Sequence, residues 1–413
     1  MLWHLKYARF YILAIPNTKL VENKWTASFL REQSFRSDPI ADTLIAEINA
    51  NHGMEEVHRL FAQLTKNSDI IDNAEVLPNV KAYFNKEIHL PDWADHSKIE
   101  TAQNLFALYG PEIAFMLNFR SLPLCYTSNS GSKVLCATGR LKEDGHNVNK
   151  ITRRLMETSQ MVINAMSPGG FEPMGRGIIT VKKVRLMHAA IRYYIKNPNI
   201  PTGEWDSALL GEPINQEEMA GTLMAFGPLV ISGLEILGIE TTREEKDAYM
   251  HCWKIVGHFI GLDENLFPDN HEDGWDLGVA IIKRNYGESN DAKILAKSIV
   301  GFGQHIMPFP FFNDMPEYFI QRFTRDVSAV VGADFSRLLD IKSKPNLKKR
   351  IITWSLERTF DSLSDLKKTS WFFSKIAKWL NSKMLQRTVH FYLKNNKIEF
   401  YIPPSLKENW KLN

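Results

Sequence analysis

One stretch of the chain, VRLMHAAIRYYI (184–195), sets a histidine between two arginines at helical spacing, Arg185 three residues before His188 and Arg192 four after it. On a helix these side chains lie near one another, because residues three and four apart stack on a common face. Val184, Met187, Ile191, Tyr194 and Ile195 recur at the same spacings, so the imidazole is expected to point inward with its apolar neighbours. An inward histidine has two uses: a core residue with one hydrogen bond, or a ligand for a metal or cofactor. Ala189 and Ala190 leave little bulk beside the ring, and guanidinium groups drawn inward require anionic partners. A haem would satisfy all three residues at once, with iron for His188 and two propionates for Arg185 and Arg192.

A second pair precedes this one. Arg154 and Thr158 lie four apart, and Thr158 stands thirty residues before His188 across the reversal SPGGFEPMGRG. Two facing helices so joined would sandwich a planar group, with imidazole on one side and an arginine and a hydroxyl on the other. Competing chemistries lack their residues. A di-iron carboxylate site needs two Glu-x-x-His motifs, and only Glu55 to His58 is present. His251 and His258 are seven apart without an acidic ligand nearby. No dinucleotide, P-loop or hydrolase-elbow signature occurs. Cys125, Cys136 and Cys252 have neither zinc nor redox-motif spacing, which favours a reducing compartment.

Helices must position these groups, and the sequence predicts them over most of the first 340 residues. Ser97 to Glu100 reads as a capping box opening a helix that runs through Leu108 and ends at Gly110; Pro111 starts another, to about Arg120. Residues 121–135 read as irregular connection. An amphipathic helix spans 151–166, with Ile151, Leu155, Thr158, Val162 and Ala165 on one face, and the His188 helix follows. Asn215 to Glu218 opens the next, with a kink or break at Pro228; Thr241 or Thr242 caps another that ends near Gly261. Further helices fit 274–285, 289–305 and 314–331.

The 413 residues carry a net charge of +3, distributed unevenly. From Lys342 to Asn413 there are 16 Lys and Arg against 5 Asp and Glu, a balance of +11, leaving the other 341 residues at −8. Within this tail, residues 369–385 form a basic amphipathic pattern with Phe372, Ile376, Trp379 and Leu380 on one side. That stripe either packs on the core or lies on anionic membrane. Residues 390–402 alternate about Asn395 and Asn396 as a short β-hairpin. The tail's aromatics follow helical spacing rather than a nucleic-acid platform, so no nucleic-acid partner is expected. No segment reads as a membrane span, and the N-terminal sixteen residues read as a helix rather than a cleavable signal, giving a cytoplasmic expectation. The organisation expected is an N-terminal helical segment (1–95), a core (96–340) and the basic tail (341–413).

SLPLCY, GSKVLCATGRL, RRLMET, VRLMHAAIR, NQEEMAGTLMAFG and the stretch from Trp253 to Gly261, in this order, resemble the oxygenase family that includes latex-clearing proteins and the fungal mycophenolic-acid-pathway oxygenase. The resemblance covers about residues 100–340. It implies an all-α, globin-like helical core enclosing a b-type haem, with His188 as proximal iron ligand and Arg154 and Thr158 as distal groups that assist dioxygen. Arg192 matches the family's arginine after the histidine; for it, and for Arg185, propionate contacts are the physical expectation. Rubber-cleaving members carry a lysine just before the threonine that can cap the iron, where this chain has Glu157, so the resemblance does not carry over a lysine-closed resting state or polyisoprene as substrate. The implied activity is oxidation or cleavage of a carbon–carbon double bond in an apolar, isoprenoid or lipid-like compound, with dioxygen as co-substrate and no redox partner identified. Met156, Met161, Phe226 and Phe302 are candidates for the substrate walls. The alternatives are a non-catalytic haem or lipid carrier and a membrane-peripheral interaction protein acting through the tail.

Overall fold

A computed structural model describes residues 24–64, 75–137, 148–196, 205–307 and 310–392. Among them every regular element is helical, and β pairing is limited to one antiparallel bridge between Ser128 and Tyr286, so the fold is all-α as expected. The chain begins with α1 (Ala27–Ser34), α2 (Pro39–His52), α3 (Met54–Leu64) and α4 (Pro78–Asn85). Next comes α5 (His96–Met116), which runs through a π-helical turn (Leu117–Ser121) into α6 (Leu122–Tyr126) and α7 (Asn129–Ala137). The paired helices α8 (Val148–Met166) and α9 (Arg176–Lys196) follow, then a short α10 (Ser207–Leu210). The central group is α11 (Gln216–Phe226), α12 (Pro228–Ile236), α13 (Arg243–Ile260), α14 (His271–Asn285) and α15 (Asn290–Ile306). Shorter α16 (Met315–Phe323), α17 (Arg325–Val331) and α18 (Phe335–Leu338) lead to the long α19 (Leu347–Thr369) and α20 (Trp371–Tyr392).

Local chemistry sets several boundaries. Asn215 caps α11 by accepting from the Glu218 amide. Thr242 and Glu245 form a reciprocal capping box on α13, which ends at Gly261 in the left-handed conformation. Pro228 takes the first position of α12, and the backbone leaves helical geometry at Gly227, so the expected break is present. Together Gln216–Ile236 is long and apolar enough to cross a membrane by length and composition, but 72% of that window is buried inside the protein as core.

Other expectations are corrected. Helix α5 is capped by Asp95, which accepts from the Ser97 and Lys98 amides, and it continues past Pro111 with only Tyr109 off helical geometry. Residues 121–135, expected as irregular connection, lie largely in α6 and α7. Just before them the buried Arg120 donates to the carbonyl of Leu229 (2.7 Å) and to both oxygens of Asp326 (2.6 and 2.7 Å), and Ser121 Oγ donates to the carbonyl of Ala225, long-range bonds that anchor the segment where local propensity is weak. The helix expected over 314–331 is divided at Thr324. Helix α19 fills a region with no helix expected, and His390–Tyr392, the start of the expected hairpin, continue α20. The remaining hairpin residues and the N-terminal helix lie outside the described residues.

The main core is built where α13 lies along α5, with α11, α12 and α14 closing around Tyr249, Trp253 and Phe226. A second core forms between α2, α3 and α9, from Ile45, Ile48, Phe61, Leu186, Met187, Ala190 and Tyr194. Full burial of each large side chain contributes roughly 1.5–3 kcal/mol. Val184 packs against both cores, so α9 is the partition between them.

Candidate functional site

Helix α9 is buried on almost every side, and His188, half-buried, stands one turn beyond Val184. Its neighbour α8 packs directly against it. At their turn Asn164 Nδ2 donates to Thr180 Oγ1 at 3.0 Å. Thr158 precedes Asn164 by six residues, about 9 Å of helix, and His188 follows Thr180 by eight, about 12 Å. The reversal therefore brings Thr158 and His188 to similar heights on adjacent helices. Thr158 is half-buried, Glu157 beside it is buried, and Arg154 lies within α8 with its side chain outside the described residues. Of the candidate wall residues, Met156, Phe226 and Phe302 belong to the main core and Met161 packs at its edge.

The flanking arginines depart from expectation. Arg185 Nε donates to Asp38 Oδ2 (2.6 Å) and Nη2 to Asp38 Oδ1 (2.8 Å), a bidentate pair with both partners buried. Burial weakens the guanidinium's charge, but the Asp38 carboxylate more than offsets this and raises its pKa above the ordinary value. Arg192 Nε donates to Asp42 Oδ1 (2.7 Å) and Nη1 to the carbonyl of Ile214 (3.2 Å). In the structure the anions beside these arginines are the chain's own carboxylates, Asp38 and Asp42. Arg185 is committed to Asp38. Arg192 keeps one donor, Nη2, buried without a hydrogen-bond partner among the described residues.

Asp38 and Asp42 were not singled out in the sequence. The signal was present: DPIAD puts two carboxylates four apart at the start of α2, matching arginines seven apart on α9. Asp38 also caps α2 by accepting from the Ala41 amide. Gly261 closes over this pair. With φ +87° it adopts a conformation that L side chains rarely take, and a Cβ there would meet Asp38 Oδ2 at 2.5 Å and Arg185 Nε at 2.6 Å.

A third cation is fixed nearer the start of α9. Lys182 Nζ donates to the carbonyls of Phe84 and Lys86 and lies 5.0 Å from the centre of the Tyr83 ring. Burial pushes this ammonium down to about 8. Its partners are carbonyls and a ring face, so it fastens α4 to the site helix. His251 and His258 instead pack edge-on against Trp93. Among the described residues no three His, Cys, Asp or Glu side chains form a metal-binding group, and His58 stacks on Tyr194.

Comparison with known proteins gives a consistent pattern. Residues 109–359 match the family model described as the catalytic domain of ER-bound oxygenase mpaB/B′/Rubber oxygenase. A rubber oxygenase from Streptomyces sp. (strain K30) is 21% identical over 250 residues, 60% of this chain and 57% of that relative. The chain thus matches little more than half the length of this curated relative. The structure of latex clearing protein LCP in the closed state is similar with a TM-score of 0.66 at 17% identity, over 90% of this chain and 95% of that one. At that identity the structural likeness is one of fold.

Proposed function

Because this chain belongs to the family of ER-bound and rubber oxygenases, we propose that it is an oxygenase that holds a b-type haem on His188 and oxidises a carbon–carbon double bond of an apolar, isoprenoid or lipid-like compound. The observation that carries this reading is the site helix: a half-buried histidine on the helix that divides the two cores, with the spare Nη2 donor of Arg192 one turn away. That donor suits an acidic arm of the macrocycle, so the residues present fit the group. Arg185 then serves the site indirectly, by locking α9 onto α2 through Asp38.

When bound, ferrous haem supplies the site at which dioxygen is activated. His188 would hold the iron. Thr158 and Arg154 would donate hydrogen bonds to negative charge developing on dioxygen, stabilisation that is strongest where water is excluded. Met156, Met161, Phe226 and Phe302 would exclude that water and orient the alkene. Cleavage balances with dioxygen alone, since one C=C and one O2 give two C=O groups. Glu157, where rubber-cleaving relatives have lysine, brings a carboxylate rather than an amine beside Thr158, which argues for a different substrate from polyisoprene.

An absorption spectrum tests the proposal. The isolated protein, or the protein mixed with haemin, is expected to show a Soret band that His188→Ala loses, while Thr158→Ala keeps the band and loses alkene-dependent oxygen uptake. A protein that neither contains nor takes up haemin overturns the reading. A stable haem complex that consumes no oxygen with any alkene leaves a carrier.

A further inference from the structure

Helix α20 is mounted with its apolar stripe facing outward. The side against the protein carries Lys378, whose Nζ donates to Asn104 Oδ1 (2.9 Å), Asn381, whose Nδ2 donates to the carbonyl of Leu108 (2.7 Å), and Leu385, which packs over Gly110. Phe373, Ile376, Leu380 and Met384, three and four residues apart, lie on the opposite side and are 37–51% exposed, with Trp379 beside them at 62%. Lys375 and Lys383, four residues before and four after Trp379, are exposed on the Trp379 side of this stripe, and no Asp or Glu occurs between Trp371 and Tyr392.

An amphipathic helix in water ordinarily buries its apolar side, because each Å² of apolar surface left wet forgoes about 25 cal/mol. Here polar bonds hold the helix the other way, and the outward surface suits a second apolar phase. Charge selects which one. In a two-fold contact between copies of this chain the stripe would bring like cations together, whereas an anionic bilayer complements them. We propose that the outward face of α20 seats on an anionic lipid surface, with Trp379, Ile376 and Leu380 at the headgroup boundary and Lys375 and Lys383 on the headgroups. This inference rests on the tail alone and stands apart from the proposed cofactor.

Sedimentation of the full chain with vesicles tests it, comparing phosphatidylcholine alone with phosphatidylcholine containing about one third phosphatidylserine. The protein is expected to pellet with the anionic vesicles and to be released by salt. Lys375→Gln with Lys383→Gln should lower partitioning roughly thirtyfold, about fivefold per lysine. Trp379→Ser with Leu380→Ser should also abolish pelleting without changing the melting temperature, since both side chains face away from the fold. Failure of the wild-type chain to bind, or equal binding by both double variants, overturns the proposal. So does a concentration-dependent dimer that Trp379→Ser with Leu380→Ser disperses and that never binds vesicles.

Discussion

Arg185 and Arg192 differ in what they have left to give. Both are buried cations on the helix of His188, yet Asp38 engages two nitrogens of the first, while the second pairs with Asp42 and retains an unused Nη2. A buried ion pair contributes little compared with a well-packed apolar pair, but removal of one partner strands the other charge. Asp38→Ala therefore removes the only carboxylate bonded to Arg185 among the described residues, together with the cap of α2. The expected loss is about 3–5 kcal/mol of unfolding free energy, read from urea denaturation, with haemin retention weakened alongside. Asp38→Asn, which keeps the capping oxygen, should restore part of the stability. A loss below about 1 kcal/mol for the alanine variant, the size of a surface pair, would show that Arg185 finds another anion and that α9 does not depend on α2.

At the scale of elements, the site depends on how closely α8 and α9 approach at their reversal. A Cβ on Gly177 would lie 2.6 Å from the Gly170 carbonyl oxygen and 2.8 Å from the Ala165 Cα, so the two backbones meet with no room for a methyl group. Gly177→Ala forces that junction apart, at a cost of about 1–3 kcal/mol. Because the same junction sets the separation of Thr158 from His188, haemin uptake should weaken with the melting temperature; a variant unchanged in both would show that the junction does not set the site. The two site helices, α11 and α13 were legible in the sequence, since periodicity, Asn215, Thr242 and Gly261 are local signals. The helicity of 121–135 was not, because the stretch carries local turn signals and its anchor, the bond from Ser121 Oγ to the Ala225 carbonyl, joins residues 104 apart. The acid pair on α2 was hidden for the same reason: Asp38 and Arg185 are 147 residues apart. In α20, periodicity revealed an apolar stripe but carried no information about which side of the helix the protein occupies.

The whole molecule joins a basic tail to an acidic remainder, and the tail is part of the fold. Helix α20 packs on both α5 and α8, so it braces the back of the site pair, and α19 packs against α20. From α19, Lys367 Nζ donates to Glu112 Oε1 (2.9 Å) and to the Leu108 carbonyl (3.0 Å), while Tyr109 and Ser364 share a buried hydroxyl hydrogen bond at 2.8 Å. Arg322 also donates to Glu357 Oε1 at 2.6 Å. A chain ended after Ile341 loses every one of these bonds and uncovers α5 around Tyr109 and Glu112. Its melting temperature should fall by more than about 5 °C, since several such bonds and the packing around them are lost together and each kcal/mol moves a protein of this size by roughly 2 °C. Scanning calorimetry on the shortened and full chains measures the difference. Trp379→Ser with Leu380→Ser, altered on the outward side only, should melt with the full chain, because the inward side of α20 braces the fold and these two side chains are exposed on its other side. A shortened chain that melts with the full one would mean that the inward bonds add nothing, and α20 would then be free to turn its apolar side toward the protein.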